Sequence, residues 1–172
     1  MRLLTKSMLF YVFLMNTSVY AAQTVVFALD IVRHGDRTPI SEIPTDPHLW
    51  AQGLGELSAR GMEQEFSLGM QLREKYVNRD KLLPPNYDVN SIYVRSSDYN
   101  RTLMSAQALL LGLYPLGSGP LLVSESPALP MGFQPIPIHT VSQKEDNLLV
   151  PKRNHTEFES MQQQYVISSN DW

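Results

Sequence analysis

Three short runs of the chain have the pattern of β-strands. Residues 24–32 are almost continuously apolar, which is typical of a strand buried on both faces. Residues 91–95 combine β-branched and aromatic side chains, and residues 121–123 form a third apolar run. The pattern therefore predicts three strands, separated by longer segments of a different periodicity.

Two of those longer segments repeat apolar or small residues at helical spacing. Ser58 is a suitable N-cap for a helix that begins near Ala59 and ends before Pro84. A second helix is predicted after Ser97 and Asp98, either of which is a suitable cap, and it ends at a Gly- and Pro-containing segment. A further helix is predicted over residues 156–166. The predicted inner face of the first helix is Met62, Phe66, Gly69, Leu72 or Arg73, and Tyr76, and that of the second is Leu103, Ala106, Leu110 and Leu113.

The predicted elements alternate in the order strand, loop, helix, strand, helix, strand. This alternation favours an α/β fold with a mostly parallel central sheet flanked by helices. Ligands of such sheets bind beyond the carboxyl ends of the strands. Residues 33–39 and 95–102 follow directly on two of the predicted strands, so we expect the functional site there.

The first 22 residues have the pattern of a secretory signal peptide. Arg2 and Lys6 are basic, residues 8–15 are an apolar core, and residues 19–22 include small residues suited to cleavage. This core is much shorter than the ~20 residues needed to span a bilayer. We therefore expect residues 1–22 to be removed and residues 23–172 to be exported, to the periplasm or outside the cell, without a membrane span.

Composition limits the partners and cofactors to be considered. The formal net charge is −3, and it becomes −5 when the two basic residues of the first 22 are removed. Binding of nucleic acid through bulk charge is therefore not expected. There is no cysteine, which excludes disulfides and thiol catalysis, and no two of the four histidines have metal-ligand spacing. We expect neither a metal site nor another cofactor.

Residues 33–39, Arg-His-Gly-Asp-Arg-Thr-Pro, place an imidazole between two guanidinium groups at the end of a predicted strand. A neutral imidazole such as that of His34 is a nucleophile toward phosphorus and can form a phosphohistidine, provided that a backbone carbonyl holds its other nitrogen. Arg33 and Arg37 can bind phosphoryl oxygens as bidentate donors. Asp36 is interpreted as neutralising part of the arginine charge. The segment predicts a binding site for a phosphate ester.

Arg101 is a third candidate phosphate ligand, because it lies in the first turn of the second predicted helix, whose free N–H groups attract anions. Three guanidinium groups and a helix end suit the charge of a phosphoryl-transfer transition state. Arg95, in contrast, is expected to form a structural ion pair with Asp98 or another carboxylate. The remaining histidines are expected to be structural: His48, His139 and His155.

These segments resemble the motifs of the histidine acid phosphatases, a branch of the histidine phosphatase superfamily. Residues 33–39 match the defining motif of that family, and residues 95–106 are similar to its second motif. The resemblance extends over roughly residues 25–150. It also includes shorter stretches at residues 45–47, 52–58, 61–64, 134–141 and 145–149.

The resemblance implies a fold like that of the phosphoglycerate mutases, with His34 as the nucleophile and Arg33, Arg37 and Arg101 as phosphate ligands. It also implies hydrolysis of small phosphate monoesters in acid through a phosphohistidine. Some relatives are dimers, so a homodimer is one expectation that the sequence leaves open. A mutase-like member of the superfamily is a weaker alternative, because of the signal peptide and the second motif.

One feature departs from the family pattern. The second half of the family's members carries a His-Asp pair, in which the histidine completes the phosphate pocket and the aspartate protonates the leaving group, whereas this chain contains no His-Asp dipeptide. We therefore expect residues 23–172 to be the amino-terminal portion of the domain, with an incomplete sheet and weak activity or none. The alternative is a non-catalytic phosphate-binding or interaction fragment that retains the arginine pocket.

Overall fold

The computed structural model describes residues 24–45, 47–150 and 160–167. Its main elements are two helices, α1 (Ala59–Arg73) and α2 (Asn100–Leu113). A π-helical turn, Glu74–Arg79, extends α1, and a short 3-10 turn follows at Pro130–Gly132. The predicted signal peptide, residues 1–22, lies outside the described residues. Among the helices of the described ranges, none combines the length and the apolar character needed to cross a membrane.

Helix α1 begins where its capping residue predicts. Ser58 has an extended backbone, and its hydroxyl accepts a hydrogen bond from the backbone N–H of Gly61 at 3.1 Å. The π-helical turn carries the helical path to Arg79, so it ends before Pro84 as predicted. The buried residues of α1 are Gly61, Glu65 and Gly69, which are four positions apart and define one face.

Helix α2 begins later than its predicted caps. The N-cap is Tyr99, whose side chain makes no capping bond, so the assignment of the cap to Ser97 or Asp98 is wrong. The Ser97 hydroxyl is instead bonded to the Thr102 hydroxyl at 3.1 Å, inside the first turn of the helix. Arg101 nevertheless lies in that first turn, as the sequence predicts. The helix ends at Leu113, before Pro115.

The two helices pack with their backbones in direct contact. A Cβ atom added to Gly69 would collide with the carbonyl of Leu109, and one added to Gly112 would collide with the carbonyl of Phe66. Glycine is needed at both positions because no side chain fits between the helices. The apolar core lies at the carboxyl end of α2 and contains Leu110, Leu113 and Tyr114, surrounded by the partly buried Leu72, Leu83, Tyr87, Ile92, Val94, Ile136 and Ile138.

The three predicted strands do not form a sheet within the described residues. Residues 24–32 have no ladder partner there, and Val26, Phe27, Leu29 and Ile31 are 75–87% exposed. A strand forms only when a neighbouring backbone pairs with its N–H and C=O groups, and the described chain places none beside this segment. It is attached through Asp30, which accepts a hydrogen bond from the Tyr76 hydroxyl at 3.1 Å.

Single β-bridges remain at the other two predicted strands. Arg95 forms a parallel bridge with His139, with hydrogen bonds of 2.9 and 3.0 Å on either side. Leu121 forms an antiparallel bridge with Pro127 across a tight turn. The predicted helix over residues 156–166 is helical where it is described: residues 160–162 are α-helical and Gln163–Ile167 is π-helical. Residues 151–159 lie outside the described ranges.

We expect Gly112→Ala to lower the free energy of unfolding by about 1–3 kcal/mol, because the new methyl group forces the backbones of α1 and α2 apart. Gln107→Ala, on the exposed side of α2, is the matched control and should stay within about 0.5 kcal/mol of the parent. Urea denaturation of both variants measures the difference. Equal stability of the two would show that the helices do not touch at Gly112.

Candidate active site

The segment 33–39 is held against the amino-terminal end of α1 and against α2. The N–H of Gly35 donates to the buried hydroxyl of Ser105 in α2 at 3.1 Å. A Cβ atom on Gly35 would collide with the backbone of Gly61, so the two chains touch directly. The N–H of Asp36 donates to the side-chain carbonyl of Gln64 at 2.9 Å. The backbone of Gly35 and Asp36, directly after His34, is thus held by the two helices.

Thr38 connects this segment to the loop that precedes α1. Its side chain is fully buried, and its hydroxyl donates to the carbonyl of Gly53 at 2.8 Å and accepts from the N–H of Glu56 at 3.0 Å. The neighbouring Arg37 forms an antiparallel bridge with Leu57. Gly53 has a φ of +92°, a left-handed conformation that favours glycine. A threonine and a glycine in the turn therefore set the position of Arg37.

A cavity of about 470 Å³ opens at the centre of this arrangement. It is lined by Arg33, His34, Gly35, Asp36, Arg37, Gln64 and Glu65. The first five residues come from the segment identified in the sequence, and the last two come from α1. The lining is therefore mainly polar and contains two guanidinium groups and two carboxyl groups.

His34 presents one defined nitrogen to a ligand. It is partly buried, and its Nδ1 atom lies 2.8 Å from the carbonyl oxygen of Gly35. A carbonyl oxygen can only accept, so Nδ1 carries the hydrogen in the neutral ring. Nε2 then carries the lone pair. This is the backbone-held imidazole that nucleophilic chemistry at phosphorus requires.

Within the described residues, the two arginines beside His34 have no carboxylate partner. In the described part of the chain, ion pairs occur between Arg79 and Asp80 and between Arg95 and Asp146, and neither Arg33 nor Arg37 takes part in one. One terminal nitrogen of Arg37 donates to the carbonyl of Thr38 at 2.7 Å, whereas its Nε is buried and has no partner among the described residues. Uncompensated guanidinium groups with free donors attract an anion.

Arg101 does not line the cavity. Its guanidinium group lies 4.4 Å from the centre of the Tyr99 ring, and one terminal nitrogen lies 3.5 Å from the carbonyl of Gly55. Its Nε is also buried and has no partner in the described ranges. The structure therefore brings Arg33, His34 and Arg37 together and leaves Arg101 beside the neighbouring loop.

Asp36 forms no direct ion pair with the arginines in the described chain, although it lines the same cavity. Its carboxylate accepts a hydrogen bond of 2.6 Å from the Ser58 hydroxyl, the capping group of α1. This contact ties the segment to the start of the helix instead of to the cationic groups.

Arg95 forms the structural ion pair that was predicted, with Asp146 as its partner at 2.8 Å. The Asp146 side chain is completely buried, and it also accepts hydrogen bonds from the N–H groups of Leu148 and Leu149 at 3.2 and 2.9 Å.

The remaining histidines lie away from the cavity or outside the described ranges. His139 stacks on Tyr93 with ring centres 4.8 Å apart, and His48 contacts Trp50 at 4.2 Å. Neither of these two histidines lines the cavity, and His155 lies outside the described residues.

Two lining residues, Gln64 and Glu65, were not identified from the sequence as site residues. Glu65 is only 5% exposed, and its Oε2 atom is buried without a hydrogen-bond partner in the described chain. This burial raises the pKa of Glu65 above its ordinary value. The sequence signal that could have identified Glu65 is its position midway between Gly61 and Gly69 on one helical face, where a carboxylate is unusual.

Comparison with known proteins identifies the relatives of this chain. Residues 24–171 match the family described as histidine phosphatase superfamily (branch 2). The chain is 45% identical to the lysosomal acid phosphatase of Xenopus laevis over 126 residues, which cover 72% of this chain and 27% of that protein. It is 37% identical to the prostatic acid phosphatase of Homo sapiens over 173 aligned positions, which cover 96% of this chain and 42% of that protein.

A solved structure is also similar. The phytase of Klebsiella sp. ASR1 aligns with 67% of this chain and 26% of its own length, with a TM-score of 0.50 and 28% sequence identity. Together with the matched family, this similarity implies an α/β phosphatase fold. The chain belongs to the histidine phosphatase superfamily, branch 2, which confirms the resemblance seen in its motifs. It spans less than half the length of either of these two acid phosphatases.

The buried carboxyl of Glu65 makes stability depend on pH in a defined direction. Its pKa is raised in the folded chain from an ordinary value of 4.5, so the folded state holds the proton more tightly than the unfolded state. The free energy of unfolding should therefore fall as the pH rises above about 4.5 toward the raised pKa. Glu65→Gln removes this titration, so its stability relative to the parent should increase over the same pH interval.

Denaturation of the parent and Glu65→Gln at a series of pH values measures this effect. Glu63→Gln, at an exposed position two residues earlier on α1, is the control and should follow the parent. Parallel stability curves for the parent and Glu65→Gln would contradict the assignment of a buried, proton-holding carboxyl.

Proposed function

We propose that residues 23–172 are the amino-terminal portion of an exported acid phosphatase that hydrolyses small phosphate monoesters. His34 is the nucleophile, and Arg33, Arg37 and Arg101 bind the phosphoryl group. The observation that carries this proposal is the free Nε2 atom of His34 in a cavity whose two arginines have no carboxylate partner in the described chain. The names of the related acid phosphatases support the reaction class.

The reaction follows from the atoms at the cavity. Nε2 of His34 attacks phosphorus, the bond from phosphorus to the ester oxygen breaks, and the alcohol leaves with a proton from a general acid. Water then attacks the phosphohistidine, which releases phosphate and restores the imidazole. The hydrogen bond from Nδ1 to Gly35 keeps the ring oriented through both steps. The guanidinium groups stabilise the negative charge that spreads over the phosphoryl oxygens.

Arg101 is proposed as a phosphoryl ligand although it does not line the cavity. It lies in the first turn of α2 and has a buried Nε without a partner in the described chain. The loop that it contacts, through Gly55, is itself bonded to the Pro39 carbonyl at 2.7 Å.

We infer that residues 24–32 are a strand of a mostly parallel central sheet. Their apolar side chains are largely exposed, a state that is unfavourable by roughly 25 cal/mol for each Å² of apolar surface. Neighbouring strands would cover these side chains and pair with the backbone. The α/β fold of the family supports this inference.

Export is supported by the pattern of residues 1–22, with its basic start, apolar core and small residues near position 22. The proposed substrate is a small soluble phosphate monoester. The general acid is proposed to be absent from these 172 residues, since the sequence contains no His-Asp pair. That absence favours the second candidate function, a non-catalytic phosphate-binding fragment that retains the arginine pocket.

Trapping of the covalent intermediate distinguishes the two functions. The chain is mixed with p-nitrophenyl phosphate, an activated ester, that carries radioactive phosphorus. It is then denatured in alkali, which preserves phosphohistidine. We expect label on the parent and none on His34→Gln, because the substituted side chain has no nucleophilic nitrogen. His139→Gln, which changes a histidine outside the cavity, is the control and should be labelled like the parent. An unlabelled parent would support the phosphate-binding fragment instead.

The proposed absence of a general acid predicts a strong dependence on the leaving group. p-Nitrophenolate departs without a proton, whereas the alkoxide of glycerol phosphate requires one. We expect the 172-residue chain to accelerate phosphorylation of His34 by both esters over the uncatalysed reaction. The rate enhancement should be roughly 10²–10⁴-fold larger for the nitrophenyl ester than for glycerol phosphate. Rapid-quench measurement of the phosphohistidine gives both rates. Equal rate enhancements would mean that a proton donor lies within these residues.

A further inference from the structure

The buried face of α1 contains one carboxyl group between two glycines. Gly61 touches the backbone of Asp36, and Gly69 touches the backbone of Leu109 in α2. Glu65 lies between them, one helical turn from each, and is 5% exposed. The close packing at both glycines holds Glu65 inside the molecule, where it lines the same cavity as His34.

This carboxyl has no partner that would justify its burial as a structural group. It forms no ion pair in the described residues, although Arg33 and Arg37 line the same cavity. Its Oε2 atom is inaccessible to solvent and has no hydrogen-bond partner there. A buried polar atom without a partner costs about 1–3 kcal/mol, so it is normally satisfied by a ligand or by water. Because Glu65 lines the cavity, a change of its side-chain rotamer can bring the carboxyl to a ligand there.

We propose that Glu65 is a phosphate ligand of this pocket and that it binds the phosphoryl group as the neutral carboxylic acid. The protonated carboxyl donates a hydrogen bond to a phosphoryl oxygen, while the guanidinium groups bind the others. Hydrogen bonds from an O–H group to an anionic oxygen are short and strong. This proposal rests on the phosphatase function proposed above, and it adds a ligand that the motif does not contain.

The charges that face Glu65 determine how binding depends on pH. The segment 33–37 contributes Arg33, His34, Asp36 and Arg37, of which Asp36 is bonded to Ser58. α2 carries a single charged side chain, that of Arg101, and it does not line the cavity. Burial raises the pKa of Glu65, so the folded protein favours the form that can donate. Ionisation of Glu65 removes that donor and places a negative charge beside the anion.

The consequence is a coupling between the proton on Glu65 and the anion in the pocket. Each favours the binding of the other by the same factor, because linkage between two ligands is reciprocal. Anion affinity should therefore fall as Glu65 ionises. This decrease is separate from any contribution of His34, because it disappears when the carboxyl is replaced by an amide.

Sulfate is the probe for the test, because it mimics a phosphoryl group and stays doubly charged from pH 4 to 8, roughly the range over which carboxyl and imidazole groups titrate. Its dissociation constant is measured by calorimetry on the full chain at a series of pH values. For the parent we expect the dissociation constant of sulfate to rise about tenfold as Glu65 ionises. For Glu65→Gln, whose amide remains a donor, the dissociation constant of sulfate should stay close to the acid value of the parent.

Two further variants control for structure and charge. Glu63→Gln removes a carboxylate of the same helix at an exposed position and should follow the parent. Glu65→Leu removes the donor at every pH and should weaken sulfate binding about tenfold in acid, whereas Glu65→Gln should not. Circular dichroism establishes that each variant is folded.

A second measurement works on the parent alone and does not depend on the folding of a variant. The carboxyl of Glu65 is followed by ¹³C NMR as the pH changes, with and without sulfate. Reciprocal linkage predicts that sulfate raises the pKa of Glu65. An unchanged or lowered pKa would overturn the proposal.

The outcomes separate this proposal from the phosphatase function. Sulfate binding with the same pH dependence in the parent and Glu65→Gln overturns the role of Glu65, while labelling of His34 by an activated ester still supports the phosphatase. Absence of sulfate binding by the parent at every pH overturns both. Loss of the pH dependence in Glu65→Gln, together with a raised pKa of Glu65 in the parent, supports the role of Glu65, while labelling of His34 decides the phosphatase function.

Discussion

The arrangement of this chain depends on direct backbone contact along one face of α1. Gly61 touches the segment that carries His34, and Gly69 touches α2, so neither position has room for a side chain. These contacts fix three backbones relative to one another at distances that a methyl group would prevent. Between them the face contains Glu65 and no large apolar residue. The helix therefore acts as a rigid support for the cavity, with the apolar core lying further along α2.

The packing of α1 against its neighbours determines the geometry of the site. Ser105 of α2 and Gln64 of α1 accept hydrogen bonds from the backbone N–H groups of Gly35 and Asp36, which directly follow His34. Thr38 holds the end of the same segment through its buried hydroxyl. Because the backbone is fixed, the hydrogen bond from His34 to the carbonyl of Gly35 gives the imidazole a defined orientation. The guanidinium groups beside it lack carboxylate partners in the described chain, and this leaves their charge available to an anion.

The sequence predicted those parts of the structure that depend on local chemistry. Ser58 marks the start of α1, Arg101 lies in the first turn of α2, and residues 33–37 line the cavity. It predicted the buried face of the first helical segment only in part, because Gly69 and Tyr76 are buried as predicted whereas other members of that face are not. The apolar pattern places Met62 inside, yet Met62 is 39% exposed, because backbone contact through glycines decides the orientation of the helix. Glu65 was missed for the same reason. The predicted strands form no sheet in the described chain beyond single β-bridges, because sheets depend on contacts between distant segments.

The central claim is that the contact between Nδ1 of His34 and the carbonyl of Gly35 leaves Nε2 as the reacting atom. The most direct measurement is NMR of the phosphorylated chain, labelled with ¹⁵N in its histidines and kept in alkali. Coupling between phosphorus and nitrogen identifies which ring nitrogen carries the phosphoryl group. We predict phosphorus on Nε2 of His34. Phosphorus on Nδ1, or on another histidine, would contradict the claim.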